Sequence, residues 1–189
     1  MREPLLGVAV GKKGVGKTFT TNRVIKQYVM GNPASGIMPR KVLILDANDE
    51  YTEYKAIALK DLMLFSVHPL VEARRIRPIH ADGKKMTLDD LATTLNYILE
   101  VFSGGLLLIE DINRFTSDFM PQDLMGAIAT NRHRDLDIIL HYQGIGRIGT
   151  KVWQNINWLR MHKITESAMR HAKKFEDKYE IIRICELMV

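Results

Sequence analysis

Near its start the chain reads Leu5-Leu6-Gly7-Val8-Ala9-Val10-Gly11-Lys12-Lys13-Gly14-Val15-Gly16-Lys17-Thr18. The apolar first part predicts a buried strand, and the last eight residues match the pattern G-x-x-x-x-G-K-[ST] in full. A helical pattern begins directly after the match. A strand, a glycine-rich bend and a helix in this order present main-chain N–H groups and a helix N-terminus to an anion. The segment therefore predicts a binding site for the phosphates of a nucleotide.

Two side chains of this segment have the chemistry that a bound triphosphate needs. The ammonium group of Lys17 would reach the β and γ phosphates, and the hydroxyl of Thr18 would ligate Mg²⁺. We therefore expect ATP and Mg²⁺ as ligands. A chance glycine- and lysine-rich turn is the alternative, and the predicted strand before the loop and helix after it argue against that alternative. The predicted nucleotide-binding residues are Gly11, Lys12, Lys13, Gly14, Val15, Gly16, Lys17, Thr18 and Phe19.

A second apolar run ends in two acids. Residues 105–109 read Gly-Leu-Leu-Leu-Ile and are followed by Glu110 and Asp111. Open α/β sheets bind ligands at the carboxyl ends of their strands, so we expect both carboxylates beside the phosphates. We assign Glu110 to the Mg²⁺ shell and Asp111 to activation of the attacking water, although these two roles could be exchanged. A solvated turn or a helix cap is the alternative interpretation of such a pair.

Polar residues also follow the apolar run at residues 42–45, where the chain reads Asp46-Ala47-Asn48-Asp49-Glu50-Tyr51. We expect Asp46 and Glu50 at the same edge of the sheet as the phosphate site. A helix cap or a solvated turn explains either residue equally well.

Short apolar runs alternate with helical patterns along the whole chain. Strands that are apolar on both faces belong to a mostly parallel sheet with helices on each side. The predicted fold class is therefore α/β with three layers, and we expect one domain spanning residues 1–189. Residues 56–79 stay unassigned, because residues 62–67 fit a strand or a helix. Strands are predicted at residues 5–10, 42–45, 106–109, 137–141 and 158–162, and helices after residue 17 and at residues 88–102, 121–131 and 166–177.

The composition is that of a globular protein, with 46% hydrophobic and 26% charged residues. No apolar run reaches the roughly 18 residues of a membrane span, and no targeting segment is recognisable. The single cysteine, Cys185, leaves no partner for an internal disulfide, so a cytoplasmic protein is the expectation. The net charge of +5 is compatible with a polyanionic partner but is also common in proteins that bind no nucleic acid.

Four pieces of the chain together resemble the FtsK/HerA superfamily of DNA-pumping ATPases. This superfamily includes virus packaging ATPases and the zonula occludens toxin-like assembly ATPases of filamentous phages. The pieces are the loop at residues 11–18, the turn at residues 46–51, which is similar to the family's D-x-x-x-E-[YF] turn, the acidic pair at residues 110–111, and residues 131–143.

The resemblance implies a P-loop NTPase fold of the RecA-like ASCE type and ATP-driven translocation of DNA. It implies that Gln143 senses the γ phosphate and that Arg132 or Arg134 reaches into the site of a neighbouring subunit. Positive charge placed where phosphoryl charge develops accelerates transfer, so subunits can complete each other's sites. The expected assembly is a homo-oligomeric ring, a hexamer or a pentamer, on double-stranded DNA. Capsid or membrane-assembly proteins are further expected partners, in the host cytoplasm or the virion.

Some features depart from the family's usual pattern. Glu110-Asp111 inverts the usual Asp-Glu order, and Tyr142 stands where threonine is commoner. The loop also resembles that of the ParA/MinD partition ATPases, with Lys12 at the position of their second lysine. The aspartate motifs expected of that group are missing from the rest of the chain.

Three alternatives stay open at this point. Arg132 and Arg134 are also explained as solvated surface charges. The basic residues at positions 74, 75 and 77 fit either a DNA channel or a charged edge strand that resists aggregation. Finally, a nucleotide-dependent switch or assembly factor, or a structural subunit without activity, would have the same loop.

Overall fold

The computed structural model describes residues 3–114, 126, 134–175 and 178–188. Seven strands in these residues form one sheet, and every neighbouring pair is parallel. The strands are β1 (Leu6–Val10), β2 (Lys41–Leu45), β3 (Lys55–Ala56), β4 (Ala73–Ile76), β5 (Gly105–Ile109), β6 (Asp137–Tyr142) and β7 (Trp158–Met161). Their order across the sheet is β3-β4-β2-β5-β6-β1-β7.

Helices cover both faces of this sheet. Within the described residues they are α1 (Lys17–Met30), α2 (Leu62–Val67), α3 (Leu88–Val101), α4 (Thr150–Asn155), α5 (Ala172–Phe175) and α6 (Tyr179–Met188). Helix α3 starts with a capping box, in which Thr87 and Asp90 each accept a hydrogen bond from the other's backbone N–H. Helix α1 contributes Ile25 to the core on one face, and helices α2, α3, α4 and α6 pack on the other. The predicted three-layer α/β fold is confirmed.

The central strands are buried on both faces, as their continuous apolar runs predict. In β5, Leu107 and Ile109 belong to the core on one face, while Leu106 and Leu108 belong to the core on the other. Successive side chains of a strand point to opposite faces, so a strand covered on both sides must be apolar at every position. The same reasoning accounts for β1, and β6 is also buried throughout, with Asp137 and His141 as its polar exceptions.

The order of the strands places the acids next to the loop. Strand β6 lies between β1, which leads into the glycine-rich loop, and β5, which leads into the acidic pair. All these strands are parallel, so their carboxyl ends meet at one edge of the sheet. The crossover that inserts β6 between them is a long-range feature that no local pattern encodes.

Most predicted elements agree with the structure, and one differs. The five predicted strands are present, as are the helix that starts at residue 17 and the helix predicted at residues 88–102. The predicted charged helix at residues 166–177 is present only in part: the described residues form a 3-10 turn (Ala168–His171) followed by the four-residue helix α5. Ala168 is buried there and its amide is bonded to Glu186, so tertiary contacts override the helical pattern. The predicted helix at residues 121–131 lies outside the described residues.

The segment left unassigned contains both kinds of element. Residues 62–67 form the helix α2, whose buried residues are Leu62 and Phe65, and residues 73–76 form the strand β4. None of the described helices is both long enough and apolar enough to span a bilayer.

Carboxylates neutralise the basic run that includes β4. Arg75 is buried and donates to Asp46 at 2.8 Å and to Asp49, while Arg77 donates to Asp49 at 2.8 Å. Arg74 donates to Glu72 at 2.7 Å. The three arginines therefore form intramolecular ion pairs. Neither sequence-based interpretation, a DNA channel or a charged edge strand, anticipates these pairs.

Candidate nucleotide site

The glycine-rich loop has the backbone that its sequence predicts. Gly14 and Gly16 have φ angles of 80° and 88°, in the left-handed region that costs any residue with a Cβ about 1–2 kcal/mol. Gly11 is needed for a different reason, since a Cβ there would lie 2.6 Å from the Cβ of His162. The loop thus has two positions set by conformation and one set by close packing against the residue after β7.

Backbone hydrogen bonds tie the start of the loop to both neighbouring strands. The Gly11 N–H donates to the carbonyl of Tyr142 at 3.1 Å, and the Lys12 N–H donates to the carbonyl of Lys163 at 3.0 Å. The ammonium group of Lys17 donates to the carbonyls of Gly11 and Lys12, at 2.5 and 2.9 Å. Burial lowers the pKa of Lys17, and the nearby carboxylates of Asp111, Glu110 and Glu50 oppose that effect.

A pocket of about 310 Å³ opens above this loop. It brings together most of the loop, the two acids and the end of β6, whereas Gly11, Lys12 and Val15 do not line it. The side chain of Phe19 is not part of it: the ring is 65% exposed and stacks with Arg23, whose guanidinium carbon lies 4.8 Å from the ring centroid. The residues that line the pocket are Lys13, Gly14, Gly16, Lys17, Thr18, Asn48, Glu50, Glu110, Asp111, His141, Tyr142 and Gln143.

The two acids after β5 have different environments. Glu110 is 5% exposed, and its Oε2 atom has no hydrogen-bond partner among the described residues. Burial raises the pKa of Glu110 to about 9, helped by the carboxylates of Glu50 and Asp46. Asp111 instead has a left-handed backbone, with φ at 46°, and its Oδ2 atom accepts a hydrogen bond from the amide of Gln143 at 2.8 Å.

Glu110, with a buried carboxylate oxygen that has no partner among the described residues, lines the same pocket as the hydroxyl-bearing Thr18, and this pair of oxygen ligands fits a divalent cation. Mg²⁺ prefers oxygen ligands and is usually held by one or two protein groups together with phosphates and waters. Accordingly, the described residues contain no group of three or more acids, histidines or cysteines that could hold a metal by themselves. Thr18 and Glu110 are suited to Mg²⁺ in the company of a triphosphate.

The turn after β2 contains a structural residue, Asp46, and two residues that line the pocket, Asn48 and Glu50. Asp46 is fully buried, accepts hydrogen bonds from the N–H groups of Glu50 and Tyr51 at 2.8 and 3.0 Å, and pairs with Arg75. It is therefore the turn-stabilising residue of the alternative interpretation. Glu50 faces the pocket, where its carboxylate lies 3.8 Å from the ammonium group of Lys13.

His141 is a pocket residue that the sequence reasoning missed. It is 1% exposed, and its Nε2 atom is hydrogen-bonded to the hydroxyl of Thr21 at 2.9 Å. Burial, together with the positive charges of Arg160 and Lys17, lowers its pKa to about 3, so the ring is neutral. The sequence feature that could have identified His141 is its position as a polar residue in an otherwise apolar predicted strand, close to the end of that strand at the predicted phosphate site.

Of the two predicted arginines, Arg134 is described by the structure and is not part of this pocket. Arg134 precedes β6 and donates to the carbonyl of Glu100 at 2.5 Å, at the edge of the sheet opposite the loop. The six residues of β6 separate the two edges by about 20 Å, so Arg134 cannot act on the pocket of its own chain. Arg132 lies outside the described residues.

Comparison with known proteins gives a structural match without a sequence match. No protein-family model matches the chain, and no curated protein matches it significantly. The genome packaging NTPase B204 of Sulfolobus turreted icosahedral virus 2, in its sulfate complex, is similar over 97% of this chain and 87% of its own, with 17% identity and a TM-score of 0.64. Its complex with ATP-gammaS covers 97% and 88% of the two chains, with 18% identity and a TM-score of 0.63.

The DNA-packaging ATPase B204 of Sulfolobus turreted icosahedral virus is also similar. It has 16% identity and a TM-score of 0.63, with coverage of 97% of this chain and 89% of its own. At such identities the similarity establishes the fold. The chain has a parallel sheet with helices on both faces and the P-loop NTPase fold of these genome-packaging ATPases.

Proposed function

We propose that this protein hydrolyses ATP with Mg²⁺ and uses the energy to translocate DNA, as a genome-packaging motor of the FtsK/HerA type. One observation carries the proposal: the pocket joins the phosphate loop with Lys17, the acids Glu110 and Asp111, and Gln143 at one edge of the sheet. The similarity in fold to a genome packaging NTPase over 97% of the chain supports it.

The loop supplies charge and shape for the triphosphate. Main-chain N–H groups between Gly11 and Thr18 and the start of α1 would surround the phosphate oxygens. Lys17 would exchange its bonds with the loop carbonyls for bonds with the β and γ phosphates. Thr18 and Glu110 would hold Mg²⁺, which when bound supplies further positive charge to the phosphate oxygens.

Asp111 and Gln143 would handle the attacking water. The carboxylate of Asp111 accepts a proton from the water, and the amide of Gln143 holds that carboxylate in place through the 2.8 Å hydrogen bond. The same amide lies at the pocket and can report whether the γ phosphate is present. Loss of the phosphate would therefore change the packing at the end of β6, which is the kind of local event that drives larger movements.

The site is proposed to be completed by a neighbouring subunit. Arg134 lies at the far edge of the sheet, so it would contribute only across an interface between subunits, and Arg132 would act in the same way. A ring on double-stranded DNA provides such interfaces, and the net charge of +5 suits a polyanionic substrate. Capsid or membrane-assembly proteins would anchor the ring.

The experiment measures ATP hydrolysis and native mass for the purified protein, with and without double-stranded DNA. We expect an oligomer whose hydrolysis rises with DNA, more steeply at low salt. Lys17→Ala should abolish hydrolysis, whereas Lys26→Ala, on the exposed face of the same helix, should leave it unchanged. A monomer whose hydrolysis ignores DNA and is insensitive to Arg132→Ala and Arg134→Ala would contradict the motor. Tight nucleotide binding by such a monomer would favour a switch or assembly factor instead.

A further inference from the structure

A chain of polar contacts behind the phosphate loop connects it to β7 and α1. The imidazole of His162, one residue past β7, has its Nδ1 atom 3.2 Å from the carbonyl oxygen of Val15, within the loop. Its Nε2 atom receives a hydrogen bond from Nε of Arg160 at 3.1 Å. The guanidinium group of Arg160 also donates to the hydroxyl of Thr21, and that hydroxyl is bonded to His141 at 2.9 Å. Nothing in the proposed chemistry uses this network.

The donors and acceptors in the network fix the protonation of His162. The Nε–H of an arginine can only donate, so Nε2 of His162 must be the unprotonated, accepting nitrogen. The ring hydrogen is then on Nδ1, where it donates to the Val15 carbonyl. The Arg160 contact therefore requires a neutral ring, and the Val15 contact requires the ring hydrogen on Nδ1.

The contact with Val15 determines which way one peptide group of the loop faces. In a planar trans peptide the carbonyl and the next N–H point in opposite directions, and the described residues contain no cis peptide bond. With the Val15 carbonyl held toward His162, the N–H of Gly16 faces the other way, and Gly16 lines the pocket. Gly14 and Gly16 both have positive φ, and glycine resists a rotation of the intervening peptides very little.

We propose that His162 is a positioning residue of the nucleotide site, which in its neutral form holds the Val15–Gly16 peptide with its N–H toward the phosphates. The inference rests on the proposed nucleotide site and adds a means of regulating it. Close packing supports it, because a Cβ on Gly11 would lie 2.6 Å from the Cβ of His162 and 3.0 Å from Cγ2 of Val15. Arg160 acts through His162 by enforcing the tautomer, and Thr21 holds Arg160 from the side of α1.

Protonation would break the contact with Arg160 and repel the ring from that side chain, which weakens its hold on Val15 although Nδ1 can still donate to the Val15 carbonyl. A proton on Nε2 turns an acceptor into a donor that faces the donor of Arg160, and it adds a cation beside Arg160 and Lys17, with His141 as the other titratable group nearby. Burial and the positive charges of Arg160 and Lys17 lower the pKa of His162 below its ordinary 6.5, and the hydrogen bond to Val15 only partly opposes them, so the ring is neutral at neutral pH. Nucleotide affinity should therefore be complete above that pKa and fall as the pH drops through it.

The test compares dissociation constants of Mg·ATPγS for the full chain and two variants at about pH 8 and about pH 5. His162→Phe keeps the ring and removes the donor, and we expect affinity at the higher pH to fall about threefold to tenfold, as the loss of one hydrogen bond implies. His162→Asn places an amide donor near the position of Nδ1 and cannot titrate, so its affinity should lie within about twofold of the wild type at the higher pH. His68→Asn, on an exposed histidine after α2, is the matched control.

The pH dependence separates positioning from simple charge. If His162 positions the loop, the wild type loses affinity relative to His162→Asn at the lower pH. If its charge alone mattered, protonation would attract the triphosphate, and the wild type would gain affinity instead. That gain would overturn the inference. So would a ratio of wild-type to His162→Asn affinity that does not change with pH, or a His162→Asn variant that binds as weakly as His162→Phe. Thermal unfolding of each variant shows whether it is folded. If His162→Phe does not fold, the comparison of the wild type with His162→Asn at the two pH values still tests the inference.

Failure of the proposed function gives a different result. A wild-type protein that takes up no Mg·ATPγS would remove the nucleotide site itself, and with it the role of His162. A wild type that binds normally, alongside a His162→Phe variant that binds equally well, would overturn the positioning role alone.

Discussion

Replacing Arg75 by methionine should destabilise the protein far more than the same replacement at Arg77. The guanidinium group of Arg75 is buried and pairs with the fully buried carboxylate of Asp46 at 2.8 Å and with Asp49, and it donates to the carbonyl of Tyr54 at 3.1 Å. Removing it leaves the Asp46 carboxylate buried without its counter-ion. Breaking a buried pair in this way costs about 3–5 kcal/mol.

Arg77 provides the matched control, two residues further along. It also pairs with Asp49, at 2.8 Å, but its side chain is 41% exposed. Water screens an exposed pair and solvates the partner that remains, so Arg77→Met should reduce stability only slightly. The comparison therefore holds the residue type and the substitution constant and varies burial.

Thermal unfolding monitored by circular dichroism measures the difference. For a chain of this length, a loss of 3–5 kcal/mol lowers Tm by about 6–20 °C. Asp46→Asn in the Arg75→Met background should recover part of the loss, because no charge is then left buried. Equal Tm values for Arg75→Met and Arg77→Met would refute the reasoning. So would an Asp46→Asn/Arg75→Met double variant whose loss of stability equals the sum of the losses of Asp46→Asn and Arg75→Met.

Three further outcomes follow from the site. Gly16→Ala should weaken nucleotide binding through backbone strain of about 1–2 kcal/mol at a φ of 88°, and calorimetric titration that finds unchanged affinity would contradict this. Asp111→Asn should lower kcat about 10²–10⁴-fold while leaving nucleotide affinity nearly unchanged, and steady-state hydrolysis beside equilibrium binding measures both. The ion pairs with Arg77 and Arg75 lower the pKa of Asp49 from 3.8 to about 2, so its contribution to stability is complete above pH 3.8 and lost as pH falls through 2. Acid titrations of Tm should show this loss in the wild type and not in Asp49→Asn.

Local patterns predicted much of the fold and the phosphate half of the site. A strand buried on both faces is mostly apolar, so β1, β2 and β5 were visible in the sequence as continuous apolar runs, and β6 and β7 as apolar runs interrupted by His141 and by Arg160. The loop was equally visible, since Gly14 and Gly16 are required by their own φ angles and the lysine and threonine follow at fixed spacing. These features depend on residues that are neighbours in the chain, which is the information that a single sequence contains.

The remainder depended on which distant residues meet. The sequence gives no local signal that Arg75 pairs with Asp46, so the basic run was open to two interpretations that the ion pairs replace. The two acids at the end of β5 have different environments that the sequence does not reveal. Glu110 is buried near the carboxylate of Glu50, whereas Asp111 accepts a hydrogen bond from Gln143 at the end of the neighbouring strand.

The parts of the site that only the tertiary structure decided are those behind the loop. His141 lies in β6, and His162 directly follows β7. Only the strand order β6-β1-β7 brings the two histidines to the same loop, where Thr21 and Arg160 connect them. Strand order is set by burial of whole faces against helices rather than by any run of residues. The sequence by itself therefore determined the phosphate-binding segment and the type of each central strand, whereas packing over long range determined the environment, and hence the protonation, of the side chains around it.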